Sequence, residues 1–180
     1  LEYFIEDYGA IPVEIMVGTD IHTLFTNMFL HGGWMHLIGN MLFLWIFADN
    51  IEATIGNIRF LIFYLAGGII ASLIHVLLNT DSSVPSIGAS GAISAVLGAY
   101  LVMFPGSKVR VLVIYFFRSF YISAIIFLGF WIAFQVFNGI NELNKNPNSG
   151  GVAYWAHIGG FGFGLLYGFI AKKFFKLEGN

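Results

Sequence analysis

The chain has 180 residues, of which 58% are hydrophobic, 18% aromatic and only 10% charged, with a mean hydropathy of +0.81. A water-soluble domain holds roughly a quarter charged residues, so the expected solvent is lipid. A net charge of −2 with no basic run among aromatics lacks the footprint of a nucleic-acid binder, and the absence of cysteine excludes disulfides, thiolate metal sites and cysteine nucleophiles.

Residues 1–32 are acid-bearing (Glu2, Glu6, Asp7, Glu14, Asp20) and are expected to form an external loop region. Crossing a bilayer needs about 20 mainly apolar residues. Five stretches approach this: residues 33–48, 58–78, 88–104, 119–140 and 152–174. Polar or breaker-rich connections fall at 49–57, 79–86, 105–118 and 141–151, and no internal repeat divides the chain. The expected architecture is one all-α integral membrane domain over residues 1–180, a compact multi-pass bundle.

Loop charges orient the bundle, because basic flanks stay cytoplasmic. Arg59, Lys108, Arg110, Arg118, Lys172, Lys173 and Lys176 follow the first, third or fifth stretch, and only Lys145 lies on the other side. The N-terminal segment is then outside and the C-terminus cytoplasmic, with the cell membrane as the expected location. The odd-numbered stretches run in parallel. His36 and Asn40 enter the first, Ser90 the third and His157 the fifth, all within the first two turns. At 1.5 Å per residue this sets the four side chains at one depth, on the order of 10 Å in. Small residues repeat every four positions at Ser90, Ser94 and Gly98 and at Gly160, Gly164 and Gly168. Such faces let helices approach closely in lipid, and their pairing would carry the His157 imidazole toward Ser90.

A serine hydroxyl needs an adjacent base to act as a nucleophile, most often imidazole. Ser90 and His157 are the candidate pair. No Asp or Glu lies in the five stretches, which favours a dyad over a triad. An oxyanion would find donors in the Asn40 amide, the His36 imidazole and the unpaired backbone N–H groups at the start of the Ser90 helix. Gly88 and Gly91 would let a substrate backbone approach the serine. Each element has a plainer reading: Gly88-Ala89-Ser90-Gly91 as helix packing, His157 as a hydrogen-bonded bundle histidine, the glycines after it as a packing face. His31, His36 and His75 have no carboxylate with them and match no common ligand spacing, so no metal is expected. Trp34, Trp45, Trp131 and Trp155 read as interfacial anchors or lipid-facing bulk.

Three ordered motifs, His31-Gly32-Gly33-Trp34-Met35-His36-Leu37-Ile38-Gly39-Asn40, Gly88-Ala89-Ser90-Gly91 and Ala156-His157-Ile158-Gly159-Gly160, resemble those of the rhomboid family of intramembrane serine proteases. The turn Glu52-Ala53-Thr54-Ile55-Gly56 is similar as well, and the likeness covers nearly the whole chain. The resemblance implies Ser90 as nucleophile, His157 as general base, and Asn40 with His36 lining the oxyanion pocket. It implies His31 as support for the outer loop, no cofactor or metal, and membrane-anchored, transmembrane-helix proteins as substrates cut near the outer face. It also implies a six-helix core, of which this chain would supply five helices and lack the first, and a membrane-embedded loop supplied by residues 20–30. Access would involve the fourth stretch and the loop above it, with Gly150-Gly151 as hinges. Two positions depart from some members: His22-Thr23 stands where they have Trp-Arg, and Ser94 where they have a Tyr that supports the base. Support for His157 is then expected from Tyr154 or a water. Rival readings are a relative without activity that binds membrane helices, and a channel or transporter lined by His36, His75 and His157.

Overall fold

The structure is a computed structural model that describes residues 2–113, 118–143, 146–148 and 150–175. Lys145 and Lys176, both used in the charge argument, lie outside the described residues. Three short helices, α1 (Glu2–Tyr8), α2 (Pro12–Met16) and α3 (Thr23–Thr26), lead through a 3-10 turn, Asn27–Phe29, into the bundle. The bundle comprises α4 (Trp34–Ile55), α5 (Asn57–Leu78), α6 (Ser90–Met103), α7 (Ala124–Glu142) and α8 (Tyr154–Phe174). Between α6 and α7 lies an antiparallel hairpin, β1 (Lys108–Val113) with β2 (Arg118–Ser123), in which Lys108 pairs with Ser123.

The hairpin corrects the all-α expectation. Valines alternate with Lys108 and Arg110, a period-2 pattern that suits a strand. Val109 is buried while its neighbour Arg110 is exposed. Residues 119–123 consequently belong to β2, and the fourth helix starts at Ala124. The first stretch is also longer than residues 33–48: helix continues through Asp49 and Glu52 until Gly56, whose φ of 85° breaks it and opens α5.

α6 lies at the centre, buried on nearly every side. α8 packs against it in parallel, with backbone close to backbone. A Cβ on Gly160 would overlap the Gly91 carbonyl, one on Gly164 the Ala95 carbonyl, and one on Gly98 the Phe161 carbonyl. Gly160, Gly164 and Gly168 meet Gly91, Ala95 and Ala99 in turn, so both helices run the same way. The close face of α6 is therefore Gly91, Ala95 and Gly98: Gly98 is as expected, while Gly91 and Ala95 replace Ser90 and Ser94, with Ser94 at the flank. α4 also runs parallel to α6, since His36 approaches Gly88 at one end while Phe47 and Asn50 meet Tyr100 at the other. α5 runs the opposite way, Ala71 facing Gly91 and Gly67 facing Ala95. α7 is antiparallel to α8, Gly139 facing Tyr154 and Trp131 facing Phe161.

The outer faces are apolar to a degree that water does not tolerate. Trp45 on α4, Ile62 on α5, Phe130 and Phe137 on α7 and Phe169 on α8 are all largely exposed. By length and composition, two described helices, Asn57–Leu78 and Ala124–Glu142, are long and apolar enough to cross a membrane. Ser90–Met103 is apolar but shorter. α4 is diluted by His36, Asn40, Asp49, Asn50 and Glu52, and α8 by its glycines and Lys172 and Lys173.

Backbone contact leaves no room on the shared face. Gly164→Val should lower the unfolding midpoint in detergent, at a cost of about 1–3 kcal/mol or more from overpacking. Gly129→Ala, where a Cβ meets nothing within 4 Å, should be neutral or stabilising by about 0.5–1 kcal/mol. Circular dichroism melts of the two variants check both outcomes.

Candidate active site

Ser90 is the first residue of α6, and the backbone just before it is unusual. Gly88 has φ 122°, a conformation that L side chains rarely adopt, and a Cβ there would lie 2.8 Å from His36 Nε2. Glycine at this position thus makes both the turn into α6 and the room for the His36 ring. The Gly88 N–H donates to the Asn27 carbonyl at 2.9 Å, so the free backbone donors near Ser90 are those of the first turn of α6 itself.

Asn27 ties this turn to the rest of the fold. Its amide NH₂ donates to the Thr23 carbonyl at 2.5 Å, and its side-chain oxygen accepts from Ser72 Oγ on α5 at 3.2 Å. Thr23 is itself buried and donates to the Asp20 carbonyl at 2.6 Å. Residues 20–30 are anchored by these bonds and by Met28, which packs into the space over Gly68. Farther out, Ala10 and Ser86 exchange two backbone hydrogen bonds of 2.9 Å, joining the N-terminal segment to the loop before Ser90.

The α6–α8 contact brings His157 over Ser90. His157 Nε2 lies 2.8 Å from Ser90 Oγ, and its Nδ1 lies 2.9 Å from Gln135 Oε1 on α7. A glutamine carbonyl only accepts, so Nδ1 carries the ring proton and donates it there. Nε2 is left as the acceptor for the serine O–H, with the tautomer assigned from this network. Trp131 covers the ring, the centroids 5.9 Å apart. Trp131 is therefore half-buried beside the site and not lipid-facing bulk, whereas Trp34 and Trp45 are largely exposed.

The expected support for His157 is corrected by this contact. Tyr154 sits beside Gly139, and Ser94 donates to the Ser90 carbonyl at 2.6 Å. Gln135 takes the role on the far side of the ring. The sequence held one signal for it, a lone glutamine in the otherwise apolar run of residues 124–137.

His36 has the opposite tautomer. Its Nδ1 accepts the Gly32 N–H at 3.3 Å, so Nε2 carries the proton and faces the Gly88 turn. Asn40, one turn further along α4, is buried, and its amide NH₂ has no acceptor among the described residues. A Cβ built on Gly88 would lie 3.7 Å from that nitrogen. Two donors thus converge beside Ser90. Gly91 has a different setting from the one expected: a Cβ on it would meet Ala71 on α5 at 2.7 Å and Ala156 on α8 at 3.8 Å, so it faces helix contacts, away from the cavity.

Ser90, His157, His36 and Asn40 line a cavity of about 760 Å³ together with His75 and Asn79. Ser82 and Pro147 close part of it, Ser82 Oγ donating to the Pro147 carbonyl at 3.0 Å, while Ser83 donates through backbone and side chain to Asn148 Oδ1. Gly150 and Gly151, both with positive φ, follow this tie and lead into α8. His31 packs edge-on against His36 at 5.1 Å. Burial, and then the neighbouring His36, hold its pKa below the ordinary histidine value, so at neutral pH it is uncharged.

Residues 18–174 match the family model described as "Rhomboid domain", and the chain belongs to the rhomboid family. It is 32% identical over 151 residues to Rhomboid protein 1, mitochondrial, of Saccharomyces cerevisiae, covering 82% of this chain and 41% of the relative. RHOMBOID-like protein 1 of Arabidopsis thaliana is 32% identical over 167 residues, covering 92% of this chain and 39% of the relative. The human Presenilin-associated rhomboid-like protein, mitochondrial, is 30% identical over 149 residues, with coverages of 78% and 35%. The chain spans less than half the length of these curated relatives. Family and apolar surface together make it a membrane protein.

A buried NH₂ without an acceptor weakens the fold by about 1–3 kcal/mol. Asn40→Leu should therefore leave the detergent unfolding midpoint unchanged or raise it, as expected of a residue kept for function at some expense of stability. A drop of several degrees in the melt would identify Asn40 as structural.

Proposed function

We propose that this protein is an intramembrane serine endopeptidase that uses Ser90 and His157 to cleave membrane-anchored, helical substrates near the outer face of the bilayer. The observation that carries this reading is the 2.8 Å contact between Ser90 Oγ and His157 Nε2 inside a cavity that also holds the unpaired Asn40 amide. Ionisable groups inside spans are rare and usually functional. Ser90, His157, Asn40 and His36 line one cavity, and in this reading they serve as nucleophile, base and oxyanion donors.

In the proposed reaction, Ser90 Oγ attacks the scissile carbonyl carbon as its proton passes to His157 Nε2. The carbonyl oxygen becomes an oxyanion that takes hydrogen bonds from Asn40 Nδ2, from His36 Nε2–H and from backbone N–H groups in the first turn of α6. Collapse of the tetrahedral intermediate expels the amine, which receives the proton from His157. Water activated by the same imidazole then hydrolyses the acyl-enzyme. Every step is supplied by side chains and backbone, so no cofactor or metal enters.

In this reading α4 to α8 form five spans of a six-helix core, with the site in the outer half. The basic residues around the hairpin and at the end of α8 face the cytoplasm, and the cell membrane is the first choice of location. Two of the relatives described above carry mitochondrial names, which favours an organellar membrane as the second. A fluorescent fusion in the native host separates the two.

In detergent or vesicles, a fluorophosphonate should label the wild-type protein. Ser90→Ala should lose both labelling and cleavage of a membrane-anchored peptide. His157→Ala should lose cleavage yet melt as a folded protein, and Asn40→Ala should lower kcat by roughly 10²–10³. Cleavage by purified Ser90→Ala protein at the wild-type rate would sink the reading.

A further inference from the structure

We propose that Gln135 is a positioning residue for His157 and that, because α7 carries it, the readiness of the base depends on how α7 is seated against α8. The inference rests on the proteolytic reading above and adds a form of control to the same site.

The first support is the cost of the residue. Ala124, Leu128, Gln135 and Gly139 make up the buried face of α7, and their spacing puts them on one side of the helix. An amide on such a face is unfavourable unless it is hydrogen-bonded. Its oxygen lies 2.9 Å from His157 Nδ1, which both satisfies the amide oxygen and selects the tautomer whose Nε2 accepts from Ser90. With Nδ1 unpartnered, the proton could reside on either ring nitrogen and the ring would lose its second point of attachment.

The second support is the uneven seating of α7. Toward the hairpin, Ala124 and Leu128 are fully buried, and Phe127 stacks with Phe43 and Phe47 of α4. Toward the other end α7 touches α8 through Trp131, Gln135 and Gly139, while the cavity separates it from the part of α4 that carries Asn40. The attachments described for this half of α7 are thus chiefly to α8, and the Gln135 hydrogen bond is one of them. A displacement of about 1 Å would carry the pair beyond hydrogen-bond range. The base would then lose its orientation whenever this end of α7 leaves α8, and regain it on return.

The test uses the full chain in detergent or vesicles, with three readouts: fluorophosphonate labelling, kcat and KM on a membrane-anchored peptide, and the ¹⁵N imidazole spectrum. In Gln135→Leu, kcat and labelling rate should fall about ten- to a hundredfold, the scale seen when a metal-ligating histidine loses the partner of its other ring nitrogen, while KM stays near the wild-type value. The imidazole signals should change from the Nδ1–H form toward a mixture. Gln135→Glu, whose carboxylate accepts the same proton, should restore labelling. Should Gln135→Leu not fold, Gln135→Asn, one methylene short of His157, takes its place with the same expectation.

Seating is tested by Gly139→Cys with Tyr154→Cys. The Gly139 Cβ position lies 3.5 Å from Tyr154 Cβ, within the range for a disulfide, and the chain has no other cysteine. The oxidised pair should label at the wild-type rate, since the Gln135–His157 contact is held. Slower labelling that recovers on reduction would overturn the dependence on α7. Wild-type kcat, labelling and imidazole signals in Gln135→Leu, with Ser90→Ala inactive, would overturn this proposal alone. An active Ser90→Ala protein would remove the proteolytic reading and this one with it.

Discussion

The contact between α6 and α8, backbone against backbone, is the constraint on which the rest of the structure depends. Gly160 and Gly164 press on the carbonyls of Gly91 and Ala95, and Gly98 presses on α8 in return. In lipid, where apolar side chains gain little by leaving their solvent, close van der Waals approach of this kind does much of the work of association. It also fixes a register, since sliding one helix by a residue would drive a side chain into a carbonyl. That register decides which side chain of α8 overhangs Ser90, and it selects His157.

Around this axis the polar groups are arranged so that identical side chains do opposite things. His36 accepts a backbone N–H at Nδ1 and presents a proton at Nε2, whereas His157 gives its Nδ1 proton to Gln135 and presents a lone pair. His75 resembles His36, because the Asn79 amide can donate both to its Nδ1 and to its carbonyl, leaving Nε2 to carry the proton. The neighbour on Nδ1 makes each ring a donor or an acceptor. Asn40 adds a buried NH₂ that has no acceptor among the described residues. Its free hydrogen-bonding capacity is what the proposed oxyanion role requires.

The loop before Ser90 carries the remaining burden. Gly88 supplies a backbone conformation closed to other residues, and Asn27 holds that turn through its carbonyl while its side chain reaches Thr23 and Ser72. Thr23 stands where some relatives of this fold have arginine, and the anchoring here is achieved by neutral groups. Neutral hydrogen bonds avoid the penalty of burying a charge beside lipid, at the cost of requiring close geometry from each partner.

By itself the sequence determined the apolar solvent, the number and approximate position of the long helices, and the residue types able to perform acyl chemistry, because composition and periodicity follow from solvent and helix geometry. It also made the rhomboid resemblance legible, through three ordered motifs. The hairpin is hidden in the sequence because β1 falls in a polar, breaker-rich connection and most of β2 adjoins the apolar run of α7, and α4 passes its expected end because Gly56 has the conformation that stops it. Gln135 was not legible as the partner of His157, since the two are 22 positions apart on different helices. Which residues face one another across a helix contact depends on rotation and register, and these are set by the packing of all the helices together. Only the tertiary structure therefore decided that Gln135, and not Tyr154, is hydrogen-bonded to His157, that Gly91 belongs to packing, and that the Asn40 NH₂ has no acceptor among the described residues.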